Sequence, residues 1–210
     1  MASLKKYNIV RSSSTASVKV FEELMGEKSF MDIEYESPKD YINKYWSEYK
    51  SKYSNEKINI NGSVFELIIY SLFYREGLLP FYTQAKVTYV PNVIFDAILY
   101  NRSQPISISL KTSLRERYKQ ADLEAIALKY VHRRAKCYLL TMDSKEAKDN
   151  KAKIKRGDII GLDDIIDCNT DEINELIETL KLNSYEEAEC KPAVAGFIVK
   201  KLDKHGIIRK

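Results

Sequence analysis

The sequence predicts an α/β fold, a central mixed β-sheet flanked by helices, and three observations carry that expectation. The runs Val93–Tyr100 and Pro105–Thr112 are rich in β-branched and aromatic residues. They are separated only by the turn residues Asn101 to Gln104, so they should form an antiparallel hairpin. A helical stretch after Lys111 leads into the apolar run Ala135–Met142 (AKCYLLTM), a strand–helix–strand crossover that should be right-handed and parallel. One antiparallel and one parallel connection in the same sheet make it mixed. Composition agrees, since 210 residues with 44% hydrophobic and 30% charged content suit a single soluble domain with a sizeable core.

The elements follow in order. Met1 to Ser17 is serine-rich and polar, which predicts an arm or partly ordered lead-in. A short helix is expected from Ser17 to Met25, stopped by Gly26. Ser37-Pro38 opens a second helix through about Tyr53, with proline in its tolerated first turn. That helix interleaves Tyr41, Tyr45, Trp46, Tyr49 and Tyr53 with Lys39, Lys44, Lys50 and Lys52. Two readings fit: a tyrosine stripe packed on the core under snorkelling lysines, or a DNA-facing surface with Trp46 as a wedge. Residues 1–60 thus form a helical N-terminal extension of a single domain spanning 1–210.

Asn61-Gly62-Ser63 leads into an apolar helix from Val64 to about Glu76, ended by Gly77. Glu66 stands three residues after Ser63, the spacing of a capping box. Thr83 to Val90 reads as the first strand, broken by Pro91 from the strand that carries Asp96. The helix after Lys111 runs to about Arg134. Lysines 145, 148, 151, 153 and 155 with Arg156 read as a solvated loop, with a phosphate contact as the alternative. Asp163, Asp164 and Asp167 invite a metal reading, but Ile165-Ile166 between them favours a short amphipathic turn. A capped helix from Thr170 to about Leu182 and a late strand, Ala193–Leu202, close the chain.

A net charge of +4 and a pI near 8.7 permit nucleic-acid binding without demanding it. Three widely spaced cysteines (Cys137, Cys168 and Cys190), no C-x-x-C pair and only two histidines argue against zinc and fit reduced thiols in a cytoplasm. No signal-peptide core is evident, and no run approaches the roughly 20 apolar residues that span a bilayer.

Chemistry concentrates in the hairpin. Side chains alternate along a strand, so Ser107, Ser109 and Lys111 share one face and Ile106, Ile108 and Leu110 the other. With the turn centred between Arg102 and Ser103, Asp96 falls opposite Ser109 with Lys111 a diagonal neighbour. On the following helix Arg117, Gln120 and Glu124 occupy one stripe. Phosphodiester cleavage needs acidic oxygens for a divalent metal and a cation beside the attacking water. Asp96 and Glu124 can supply the carboxylates and Lys111 the cation, and hard oxygen donors select Mg²⁺.

The segment from Asp96 through Lys111-Thr112-Ser113-Leu114-Arg115-Glu116-Arg117-Tyr118-Lys119-Gln120 to Glu124 resembles Type II restriction endonucleases of the PD-(D/E)XK superfamily, in the CC/GG-reading, EcoRII/PspGI-like group. In that group the acid that usually stands two before the lysine is displaced onto the next helix. Here Ser109 fills the vacated place and Glu124, thirteen positions after Lys111, the displaced one. Phe95, not proline, precedes Asp96. The resemblance spans Glu66 to Glu124 and implies a restriction-endonuclease-like core. It also implies Asp96, Glu124 and Glu66 as Mg²⁺ ligands, and Lys111 as the group that orients or deprotonates water. Arg115, Glu116 and Arg117, with Lys119 and Gln120 beside them, become the DNA-reading set. It further implies a homodimer cleaving a short palindrome in double-stranded DNA to leave 5′-phosphate ends. The competing expectations are a structure-specific repair or junction nuclease of the same fold, and a DNA-binding module without cleavage.

Overall fold

A computed structural model of the chain describes residues 3–53, 58–188 and 194–201. Its centre is an antiparallel meander of β1 (Phe81–Val87), β2 (Phe95–Leu99) and β3 (Ile106–Lys111). On one side β4 (Lys136–Thr141) pairs parallel with β3 and β5 (Asp164–Asp167) parallel with β4; on the other, β6 (Val194–Val199) pairs antiparallel with β1. The sheet is therefore six-stranded and mixed, in the order β5-β4-β3-β2-β1-β6.

Helices cover both faces, because the period-2 alternation of the central strands sends apolar side chains both ways. Against one face pack α1 (Ser3–Lys6), α2 (Ala16–Met25), α3 (Pro38–Tyr53), α4 (Asn61–Arg75) and α7 (Glu172–Lys181). They bury Ile106, Ile108 and Leu110 of β3 beneath Phe65, Phe73 and Ile177. Against the other lie α5 (Arg117–Val131) and α6 (Ser144–Arg156), where Ala121, Ala125 and Leu128 meet Ile98, Cys137 and Leu139. No helix among the described residues is long and apolar enough to cross a membrane.

Several expectations need correction. The lead-in is not a loose arm: Leu4 and Ile9 are buried in the larger core, where apolar contact outweighs the polar composition around them. β1 begins at Phe81 and ends at Val87, two to three residues earlier than the pattern suggested, since Phe81 and Tyr82 are themselves buried. The capping box does not form. Helix α4 starts at Asn61 with Ile60 as its cap, which puts Ser63 inside the helix and frees Glu66 to point elsewhere. The lysine-rich run is a helix, capped by Asp143, whose side chain accepts from Glu146 N, and closed by Gly157 in the left-handed region at φ 82°. The Asp163–Asp167 stretch holds an edge strand, not a turn.

The tyrosine-rich helix settles on the core reading. Tyr41, Tyr45, Tyr49 and Tyr53 recur every four residues and are buried, with Tyr41 and Tyr45 in edge contact at 4.9 Å. Trp46, expected as a wedge, is half-buried and packs against Tyr49 and Phe65, with Lys50 over its ring. Cys137 and Cys168 are free and buried, while Cys190 and His205 lie outside the described residues.

Candidate active site

The hairpin register matches the spacing argument. Ala97 pairs with Ile108 and Ile98 with Ser107, which sets Asp96 across from Ser109. Asp96 Oδ2 accepts from Lys111 Nζ at 2.7 Å and from Leu110 N at 2.7 Å, with Ser109 Oγ at 3.5 Å. The two charged side chains are only 8% and 14% exposed, so this ion pair is desolvated and either partner alone would be a buried charge. Asp96 Oδ1 has no hydrogen-bond partner among the described residues. Two further elements converge here, α4 from before the meander and α5 from after it.

Glu66, released from its expected capping role, lies beside Tyr70 Oη and Gln84 Nε2 at 3.5 and 3.3 Å. Burial pushes its carboxyl up to about 7, and the negative charge of Asp96 adds to this; Lys111, Tyr70 and Gln84 pull the other way. Tyr70 gives its single proton to the Asp96 backbone carbonyl at 2.7 Å, the shorter of its two contacts, which pins α4 to β2 beside the ion pair. On α5, Glu124 is half-buried and accepts from Gln120 Nε2 at 2.7 Å. Its carboxyl is also raised, by burial first; Gln120 and Lys111 oppose this and Asp96 adds to it. The fields of Asp96 and Lys111 thus reach both Glu66 and Glu124.

Two contributors escaped the sequence reading. Gln84 falls across β1 from Asp96, between the pairs Thr83–Ala97 and Ala85–Phe95. It adopts φ 47° where the β1–β6 register shifts, and this bulge turns its side chain toward Glu66. Tyr70 was legible only as an apolar-face residue of α4. Gln120, expected in the DNA-reading set, is exposed and donates to Glu124.

The donors gathered here are carboxylate oxygens with no sulfur or imidazole among them, the chemistry that suits Mg²⁺, which needs only one or two carboxylates beside water and phosphate. Among the described residues no group of three His, Cys, Asp or Glu side chains is arranged to hold a metal ion as a set. Asp96, Glu66 and Glu124 are the carboxylates that the fold brings toward Lys111.

Between β3 and α5 the chain makes a tight turn. Leu114 is buried as its anchor, while Arg115, Glu116, Arg117 and Lys119 are exposed. The expected helix start is corrected: Arg115 and Glu116 precede α5, and Arg115 sits at φ 35°. Glu116 pairs with Lys119, whose hydrogen bond first and charge second draw the carboxyl below its ordinary range. Comparison with protein-family models, curated proteins and solved structures returned no match.

Proposed function

We propose that the chain is a Mg²⁺-dependent, site-specific double-strand DNA endonuclease of the Type II restriction class, built on a restriction-endonuclease-like core. The observation that carries this reading is the desolvated Asp96–Lys111 pair across a hairpin, flanked by Glu66 from the preceding helix and Glu124 from the following one. The helix–meander–helix–parallel-strand order around it also supports the assigned core.

Asp96 and Glu124 would hold Mg²⁺, with Glu66 assisting, and the ion when bound would supply Lewis-acid polarisation of the phosphate and a lowered pKa for water. Lys111 carries the rest. Its ammonium, held by Asp96, orients the attacking water and balances the charge growing on phosphorus. Arg115 and Arg117 present parallel donors to guanine O6 and N7, and Glu116, once exchanged from Lys119, accepts from cytosine N4. Each good bidentate contact contributes about 1–3 kcal/mol of discrimination. A carboxylate between two arginines would be repelled by a phosphate backbone, which favours base reading over mere charge neutralisation. Cutting both strands of a palindrome calls for two such sites, hence a homodimer.

The test is digestion of a sequenced plasmid with and without Mg²⁺, with the ends mapped. Discrete bands cut in both strands and leaving 5′-phosphates are expected, and Asp96→Ala or Lys111→Ala should abolish them while DNA binding persists. Smearing without preferred sites would point to a structure-specific nuclease, and binding without cleavage to a non-catalytic module. Full activity in either variant would reject the assignment.

A further inference from the structure

We propose that Glu146, at the start of α6, is a positioning residue that sets the Arg115–Arg117 turn for reading base edges; the inference rests on the nuclease reading above. The turn leaves β3 at Lys111 and enters α5 at Arg117, and one hydrogen bond of its own closes it, from Arg117 N to the Leu114 carbonyl. A second constraint comes from outside. The two carboxylate oxygens of Glu146 accept from two successive backbone amides, Leu114 N on Oε2 and Arg115 N on Oε1, the latter at 2.9 Å.

Arg115 occupies the left-handed region that side chains other than glycine avoid. Such a residue persists only where its surroundings over-determine it, and strain of this kind clusters at functional positions. Glu146 is itself fixed. Its amide donates to the Asp143 cap at 3.0 Å, and its carbonyl accepts from the buried Asn150 Nδ2 at 2.8 Å. Two helical turns on from Glu146, Lys153 Nζ sits 4.1 Å from the Tyr118 ring centroid, so α6 grips the first turn of α5 as well. The hydrogen bonds of the Glu146 carboxylate go to Leu114 N and Arg115 N, while the Asp96–Lys111 pair and the Gln120–Glu124 bond are made without it. The turn that carries the arginines thus has an anchor distinct from the contacts that hold the ion pair.

Bidentate base contacts tolerate only small misplacements, so loosening this anchor should cost discrimination. Glu146→Gln replaces one acceptor by an amide NH₂ that faces a backbone N–H. The experiment compares parent and variant by the ratio of cleavage rates at the mapped site and at a site differing by one base pair. Both are measured with Mg²⁺, at a temperature below both melting points. Hydrogen exchange at the Leu114 and Arg115 amides is followed in parallel. The ratio should fall at least about tenfold, one bidentate contact, with faster exchange at those two amides while β3 and α5 stay protected. Faster exchange with an unchanged ratio would make Glu146 a structural cap only and overturn the inference while leaving the nuclease intact. Failure of the parent itself to cut at discrete sites would refute both. If Glu146→Gln does not fold, Asp143→Ala, which keeps the carboxylate and releases its backbone anchor, is judged by the same two readouts and criteria.

Discussion

Glu66→Gln probes the acidic surroundings of Lys111 directly, through the pH dependence of stability. In the folded chain the Glu66 carboxyl is pushed up to about 7 from an ordinary 4.5, by burial first and the Asp96 charge second, against Lys111, Tyr70 and Gln84. The sign follows from which state holds the proton. Between pH 4.5 and about 7 the unfolded chain has released it and the folded chain has not, so stability falls as pH rises through that window and levels off above it. At about 1.4 kcal/mol per tenfold change in proton activity, the gap amounts to about 3 kcal/mol. Glutamine does not titrate. Urea unfolding of both proteins at pH 5 and pH 8 should show the variant gaining about 2–3 kcal/mol on the parent between the two. Adding Mg²⁺ at pH 8 should narrow that difference by stabilising the parent's carboxylates. Stability profiles running parallel within about 0.5 kcal/mol would show that Glu66 is neither desolvated nor coupled to Asp96.

Arg115→Ala and Arg117→Ala should each lower the preference for the cut site by about 1–3 kcal/mol, measured as relative cleavage rates; unchanged cutting by both would end the base-reading assignment. Tyr41→Ala, which empties a fully buried position bonded to Ser71 Oγ at 2.9 Å, should cost about 3–5 kcal/mol in denaturant titration. Lys44→Ala on the same helix should stay within about 0.5 kcal/mol. Loss of DNA binding at unchanged stability in Tyr41→Ala would restore a DNA-facing role for α3. Gly161→Ala places a Cβ 2.3 Å from the Asp122 carbonyl oxygen and 2.8 Å from Ile126, so it should cost about 2 kcal/mol or more and lower Tm by several degrees in calorimetry.

The parts of the site that lie on one hairpin were readable in advance, because a four-residue turn and strict alternation leave one register that buries the isoleucines. The pairing of Asp96 with Lys111 follows from that register alone. The tyrosine stripe was equally plain, as its four-residue spacing repeats over a whole helix. What failed depended on backbone details or on contacts distant in sequence. Ser63 and Glu66 have the spacing of a capping box, yet the helix begins three residues earlier than expected, at Asn61 with Ile60 as its cap, and Glu66 turns to the site. The lysine run looked like a loop because charge hid the Asp143 cap and the buried Ala147 and Asn150. Gln84 reaches Glu66 only through a bulge, and Glu146 meets the Arg115 turn from 31 residues away. No local pattern encodes either.

The aspartates that first suggested a metal do something else at the margin of the sheet. β5 is a four-residue outermost strand, and Asp164, at 45% side-chain exposure, leans on Lys151 beside it. A second molecule trying to extend the sheet there would have to strip water from that carboxylate and its ammonium partner for very few backbone hydrogen bonds. Charge at this border thus works against a neighbouring copy zipping onto the sheet.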